Sequence, residues 1–312
     1  SAISVLVGLI GLVAILRHFR VLQPQDGALF AHIVTHITLP AVIFGALART
    51  QQLEWDYFLV VIFVLVAEIL LLWLAWRIGK WLHLADAQLG TLMLVSAFGS
   101  SALLGYAIVE QVFPGNADAL SEAVMISELG VGIGLFTLGT MVAIYYGKKT
   151  SHQLTPIKSL FLFMQSPIFI AIVVGLLYSG LNLPLKGAFF SQLFDVVDLI
   201  AQANTFFVTL TVGVLLQFGS LKSVMSLALV AILLKLIVSP LLVWLPSLAI
   251  GLTSWQLQVI ILEAAMPSAM LSVVLAAKYG CDAVLASRLV FVTSVVSIFS
   301  VMLMTATLNN IF

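Results

Sequence analysis

The strongest constraint on this chain is a succession of apolar runs, several of them about 20 residues long with at most one ionisable side chain, the length a helix needs to cross a hydrocarbon core ~30 Å thick. Bounded by charged or turn-rich stretches, the runs fall at 1–16, 28–48, 55–76, 90–113, 120–146, 160–180, 190–216, 223–248, 257–278 and 283–306. Of the 312 residues, 62% are hydrophobic and 8% charged, where an ordinary soluble domain carries roughly 25% charged residues. No water-soluble fold covers that much apolar surface. The expectation is an all-α membrane protein of ten transmembrane helices in a lipid bilayer. The polar connection 147–159, with Lys148, Lys149 and Pro156, separates a first five-helix repeat, 1–146, from a second, 160–312.

Thirteen basic residues balance thirteen acidic ones, so a nucleic-acid surface is not expected and the placement of charge matters more than its sum. The lone Cys281 excludes an intrachain disulfide and a cysteine-based metal cluster. The first run starts at Ser1 with no basic stretch and no small-residue cleavage site before the charges, which reads as a retained helix rather than a removed signal peptide. Loops after odd-numbered spans carry Arg17, Arg20, Arg77, Lys80, Lys148, Lys149, Lys158, Lys222 and Lys278, whereas those after even-numbered spans carry only Arg49 and Lys186. The odd loops are therefore expected in the cytoplasm and both termini outside a bacterial inner membrane. Each half has an odd number of spans, so two similar halves enter the membrane inverted with respect to one another.

Two spans look broken. Span 4 places Ser96, Gly99, Ser100, Ser101 and Ala102 at mid-depth, and span 9 carries Glu263-Ala264-Ala265-Met266-Pro267-Ser268-Ala269, where proline removes one backbone hydrogen bond and blocks another. Fourth and ninth are equivalent positions, and a matched pair of interrupted helices points to a transport site near the midplane. Small residues also serve close helix packing, and proline also merely kinks. Broken helices offer free N–H groups and positive dipole ends to an anion. Ser100, Ser101, Ala102, Pro267 and Ser268 are the expected substrate contacts.

Charges at membrane depth are costly and usually face a cavity or a partner. Glu68, Glu128, Lys235, Glu263 and Arg288 qualify. Glu263, one turn before Pro267, either couples a cation or proton or caps backbone freed by the proline. Glu68 and Lys235 lie at equivalent depths in spans 3 and 8 and either pair with each other or pair elsewhere. Arg288 is read as snorkelling to the interface. Glu128 shares a face of span 5 with Ser121 and Met125, and Gly130 with Gly134 reads as a packing surface. Asn204 and Thr205 in span 7 line a substrate cavity or join helices, and Asp195 and Asp198 form a solvated rim. His32 and His36 have metal-pair spacing without a nearby carboxylate, which favours ordinary polar contacts.

The segment around 263–269, with Lys278-Tyr279-Gly280 and Leu285-Ala286-Ser287, resembles the penultimate helix and following turn of auxin efflux carrier family transporters. Thr38-Leu39-Pro40-Ala41, Lys235 to Pro240 and Leu104-Gly105 extend the likeness over nearly the whole chain. The resemblance implies ten helices in two inverted five-helix repeats, with helices 4 and 9 crossing, and malate- or malonate-like substrates among bacterial members. The chain departs from the family in span 4, with Ser100-Ser101 in place of an Asn-Thr pair and Ala107 in place of a later proline. Span 9 is also similar to the sodium and bile-acid symporters, which place a carboxylate before the crossover. That likeness implies a sodium site at Glu263, Ser100 and Ser101, although the auxin carrier likeness ranks proton coupling or uniport higher.

The expected function is secondary transport of a small organic anion by alternating access, with Glu263, Glu128, Lys235 and Glu68 in ion or proton coupling. No cofactor is implied, and a homodimer is compatible. A sodium-coupled symporter is the alternative within transport, and a ligand-binding membrane sensor the alternative of another class. An enzyme is disfavoured, because the chain has no His-Glu-x-x-His motif and no nucleophile with a placed base.

Overall fold

The computed structural model describes residues 8, 11–13, 15–23, 25–49, 55–147, 161, 164–185, 187–204, 206–207, 210, 214 and 224–311. Among these every regular element is a helix. They are α1 (26–49), α2 (Trp55–Trp81), α3 (Asp86–Ala97), α4 (101–112), α5 (Ala117–Tyr146), α6 (Pro167–Gly180), α7 (Ala188–Gln202), α8 (Met225–Ser247), α9 (Ser254–Ala264), α10 (Met270–Tyr279) and α11 (Ala283–Ile311). Four are long and apolar enough to cross a membrane: Phe58–Trp81 within α2, α5, α8 and Ala283–Thr307 within α11. The expected linker lies outside the described residues apart from Gly147, as do Thr205 and the loop lysines Lys148, Lys149, Lys158, Lys186 and Lys222.

Local chemistry sets the helix ends. Ser166 accepts a hydrogen bond from the Phe169 N–H at 3.2 Å, and Pro167 occupies the first turn of α6, where its missing N–H costs nothing. Gln256 reaches back to the Thr253 N–H at 2.9 Å and starts α9 with a capping box. Gly280, at φ +87°, closes α10 in a left-handed conformation that a side chain would strain. Pro40 of α1 and Pro240 of α8 are each preceded by the same device, whereas Pro246 stands in the plain α-helical end of α8. In α1 a π-turn over Val34–Thr38 precedes Pro40, and in α8 a π-turn over Leu233–Val238 precedes Pro240. The wider turn hands the Leu39 and Ser239 N–H groups to carbonyls five residues back, which makes room for a proline ring that would otherwise strike the preceding turn.

The chain packs into two compact units interleaved in sequence: 1–54, 102–124 and 162–216 form one, and 55–101, 125–161 and 217–312 the other. A repeat is a stretch of chain and a compact unit a body of packing, so this division does not compete with a repeat boundary at 147–159. In the first unit α1 packs on α6, with Leu47 and Ala48 against Gly175, and on α7. Thr38 donates to Asn204 Oδ1 at 2.9 Å, and Ser121 donates to the Ala46 carbonyl at 3.1 Å. Arg49 holds both Asp198 carboxylate oxygens at 2.8 Å and lies 4.7 Å above the centre of the Phe194 ring. Asp198 is thus anchored by Arg49 while its side chain stays 45% exposed.

The second unit holds α2, α3, most of α5, and α8 to α11 around an apolar core that includes Leu71, Leu92, Leu94, Phe98, Leu234, Ala276 and Leu289. At one end the α10–α11 turn is tied to α3 and α5. Asp282 donates its N–H to the Ala87 carbonyl at 3.2 Å, Thr91 donates to the Asp282 carbonyl at 3.1 Å, and Cys281 Sγ points at the Ala143 carbonyl at 3.6 Å. Burial, with Asp282 beside it, pushes the Cys281 thiol up to about 11. A reactive thiolate is therefore scarce at neutral pH. Maleimide labelling of the folded protein in mild detergent is expected to be slow and to accelerate on unfolding in dodecyl sulfate. Equal rates in the two conditions would contradict the buried placement.

Candidate functional site

The two breaks meet. α3 ends at Ala97 and α4 begins at Ser101; α9 ends at Ala264 and α10 begins at Met270. The extended residues between them pair as a single antiparallel bridge, Gly99 with Ser268. The Ser100 N–H donates to the Pro267 carbonyl at 2.7 Å and the Ala269 N–H to the Phe98 carbonyl at 2.9 Å. These bonds satisfy groups that two broken helices would otherwise leave exposed in an apolar interior. Pro267 has no N–H for the Glu263 carbonyl, and the chain turns out of α9 one residue after that helix ends.

One offset describes both breaks. Gly99 and Ser268 are 169 positions apart, and shifting either bridge hydrogen bond by 169 turns it into the other. The same shift moves Asp86 and Ser101, where α3 and α4 begin, to 255 and 270; α9 and α10 begin at Ser254 and Met270. The breaks and the helix starts that flank them thus recur at one spacing.

The charged residues collect at the crossover. Lys235, buried in the π-turn of α8, donates to the Ala264 carbonyl at 3.0 Å and to Ser239 Oγ at 3.2 Å. Ser239 also donates to the Ala264 carbonyl, at 3.0 Å. A Cβ added to Gly99 would stand 3.0 Å from both Cε and Nζ of Lys235, so the glycine makes room for the ammonium beside the bridge. Glu68 and Glu263 both attract Lys235 electrostatically, and Glu128 repels Glu263. No ion pair within 4.0 Å joins Lys235 to either carboxylate, so the direct Glu68–Lys235 bridge considered from the sequence is replaced by hydrogen bonds to Ala264 and Ser239. All four side chains are at most 4% exposed. The carboxylate oxygens of Glu68 and Glu263 and the hydroxyls of Ser96, Ser100 and Ser101 are buried and make no hydrogen bond among the described residues.

Of the expected substrate contacts, Ser100, Ser101, Pro267 and Ser268 lie at the crossover, and Ala102 follows in the first turn of α4. Asn204 belongs to the other compact unit, where it accepts from Thr38. Thr205 lies outside the described residues. Two crossover residues escaped the sequence reading. Thr293 of α11, fully buried, accepts the Ser268 N–H at 3.4 Å and donates to Ser268 Oγ at 3.0 Å. Ser272 donates to the Leu94 carbonyl at 3.2 Å and ties α10 to the end of α3. Their one signal was a hydroxyl on an apolar helix, which many packing positions share.

With its own bonds assigned, the bridge takes up the N–H groups of Ser100, Ser268 and Ala269. In the first turn of α10 the Ser272 N–H donates to the Ala269 carbonyl at 3.0 Å, and the N–H groups ahead of it, those of Met270 and Leu271, are the helix's donors without an intrahelical acceptor. A family model described as a membrane transport protein matches residues 3–305, nearly the entire chain. The chain belongs to this family. The resemblance to auxin efflux carrier transporters is thereby borne out. An uncharacterized transporter of Methanocaldococcus jannaschii is 27% identical over 286 residues, covering 90% of this chain and 89% of its own length. Another, from Methanothermobacter thermautotrophicus, is 25% identical over 301 residues, covering 96% of this chain and 95% of its own. Like other members of the membrane transport protein family, the chain is an integral membrane protein, and transport is its function.

Proposed function

We propose that this family member is a secondary transporter of a small organic anion, working by alternating access with its site at the paired breaks. The observation that carries the reading is a buried ammonium, Lys235, set against the bridge between two helix breaks and attracted by Glu68 and Glu263, whose buried carboxylate oxygens make no hydrogen bond among the described residues. An ammonium has three N–H groups, and two of those on Lys235 are used. The third, with the first N–H groups of α10, supplies the donors an anion requires.

The same cluster supports proton coupling or uniport over sodium symport. Lys235 already brings a positive charge to the crossover, where a sodium ion at Glu263, Ser100 and Ser101 would be a second. Two buried carboxylates, Glu68 and Glu263, share one ammonium, and Glu128 repels Glu263; such a cluster is costly if all are ionised, and binding protons relieves that cost without a metal. The 169-residue offset and the antiparallel pairing of equivalent segments support two inverted five-helix repeats, with ten spans in total. Odd loops in the cytoplasm, termini outside a bacterial inner membrane, and a homodimer complete the reading.

Proteoliposome uptake tests it. Radiolabelled malate and malonate should accumulate in response to a pH gradient whether or not sodium is present. Glu263→Gln and Pro267→Ala should each depress uptake while eluting as folded protein. Unchanged uptake in both variants removes the crossover as the site, and strict sodium dependence reverses the order of coupling ions.

A further inference from the structure

We propose that Gly134 of α5 is a positioning residue for the Glu68 carboxylate and for the neighbouring crossover residue Phe98. This inference rests on the coupling role given to Glu68 above, and its test needs no substrate.

Glu68 is 3% exposed, and neither carboxylate oxygen makes a hydrogen bond among the described residues. Its position is fixed by shape. The space that a Cβ on Gly134 would fill is occupied by Glu68 Oε2, with Cδ 3.0 Å away and Phe98 Cε1 3.4 Å away. Gly139 receives the other edge of the same ring: a Cβ there would lie 3.0 Å from Phe98 Cε2. Phe98 is the first residue past the end of α3, and its carbonyl accepts one of the two bridge hydrogen bonds.

Residues five apart do not share a face of a regular α-helix, where the neighbours are three and four apart. Here the π-turn over Leu135–Gly139 changes the register, and the Thr140 N–H reaches back five residues to the Leu135 carbonyl. Gly134 and Gly139 then stand together beneath one phenyl ring. Four residues before Gly134, Gly130 faces Val64 of α2, four residues before Glu68. The glycine pair at 130 and 134 does pack α5 on α2, as its spacing suggests, but only Gly134 borders a carboxylate.

The experiment compares Gly134→Ala with Gly130→Ala, both purified in detergent. The infrared carboxyl band of Glu68 is identified as the one lost in Glu68→Gln. Gly134→Ala is expected to shift that band, whereas Gly130→Ala leaves it in place even if both lose thermal stability. Shortening the acid should rescue the packing, so Gly134→Ala with Glu68→Asp is expected to recover most of the midpoint lost by Gly134→Ala alone. An unmoved Glu68 band in Gly134→Ala, or failure of the paired variant to fold while Gly130→Ala folds, overturns the assignment. Loss of malate and malonate uptake by the wild type would bear on the transport reading and leave this result standing.

Discussion

Lys235→Met is expected to be among the most damaging single substitutions in the chain. Methionine fills much the same volume, so the effect comes from charge and hydrogen bonding rather than from a cavity. Removing one partner from a buried charge constellation costs about 3–5 kcal/mol, because the remaining charge stays out of water without compensation. Here Glu68 and Glu263 both lose the cation that attracts them. The Ala264 carbonyl keeps its bond from Ser239, which limits the damage to the helix end. The thermal midpoint in detergent should fall sharply, and adding Glu68→Gln and Glu263→Gln to Lys235→Met should restore most of it. A midpoint within error of wild type would show that Lys235 does not balance these carboxylates.

Gly147→Ala is expected to be comparably severe for a different reason. A Cβ at Gly147 would overlap the carbonyl oxygen of Tyr279 and sit 2.8 Å from its carbonyl carbon. Backbone cannot rotate away as a flexible side chain can, and even ordinary overpacking costs typically 1–3 kcal/mol. The substitution should separate the end of α5 from the α10–α11 turn and lower both folded yield and thermal midpoint. Gly180→Ala is the control, since an added Cβ there meets nothing within 4 Å. Equal yields and midpoints for the two variants would contradict the close approach at Tyr279.

Most of what places the crossover was legible in the sequence. Pro267 lacks the N–H that a continuous helix needs, and small residues flank Phe98 from Ser96 to Ala102, so both breaks fall inside the stretches that signalled them. The buried ionisable residues were equally visible, since an acid or base inside an apolar run has few reasons to be there. Their partners were not. The choice of Ala264 and Ser239 by Lys235 depends on a π-turn, and a 3.6-residue periodicity carries no trace of one. The same limitation hid the face shared by Gly134 and Gly139, which only a five-residue register brings together. Arg49 and Asp198, 149 positions apart, are joined by tertiary packing that no local pattern encodes.

The two breaks differ in what enforces them. At Pro267 the interruption is written into the covalent chain, since no rearrangement gives proline an N–H. At Phe98 nothing covalent prevents the chain from continuing as helix: its N–H still reaches the Leu94 carbonyl at 3.4 Å, at the long limit of such a bond. That gap is wedged open by neighbours, namely the Ser272 hydroxyl on the Leu94 carbonyl, the phenyl ring across two glycines, and the bridge itself. One break is therefore covalent and the other conditional: substitutions that remove the neighbours can reach the break at Phe98, whereas the break at Pro267 changes only with the proline itself.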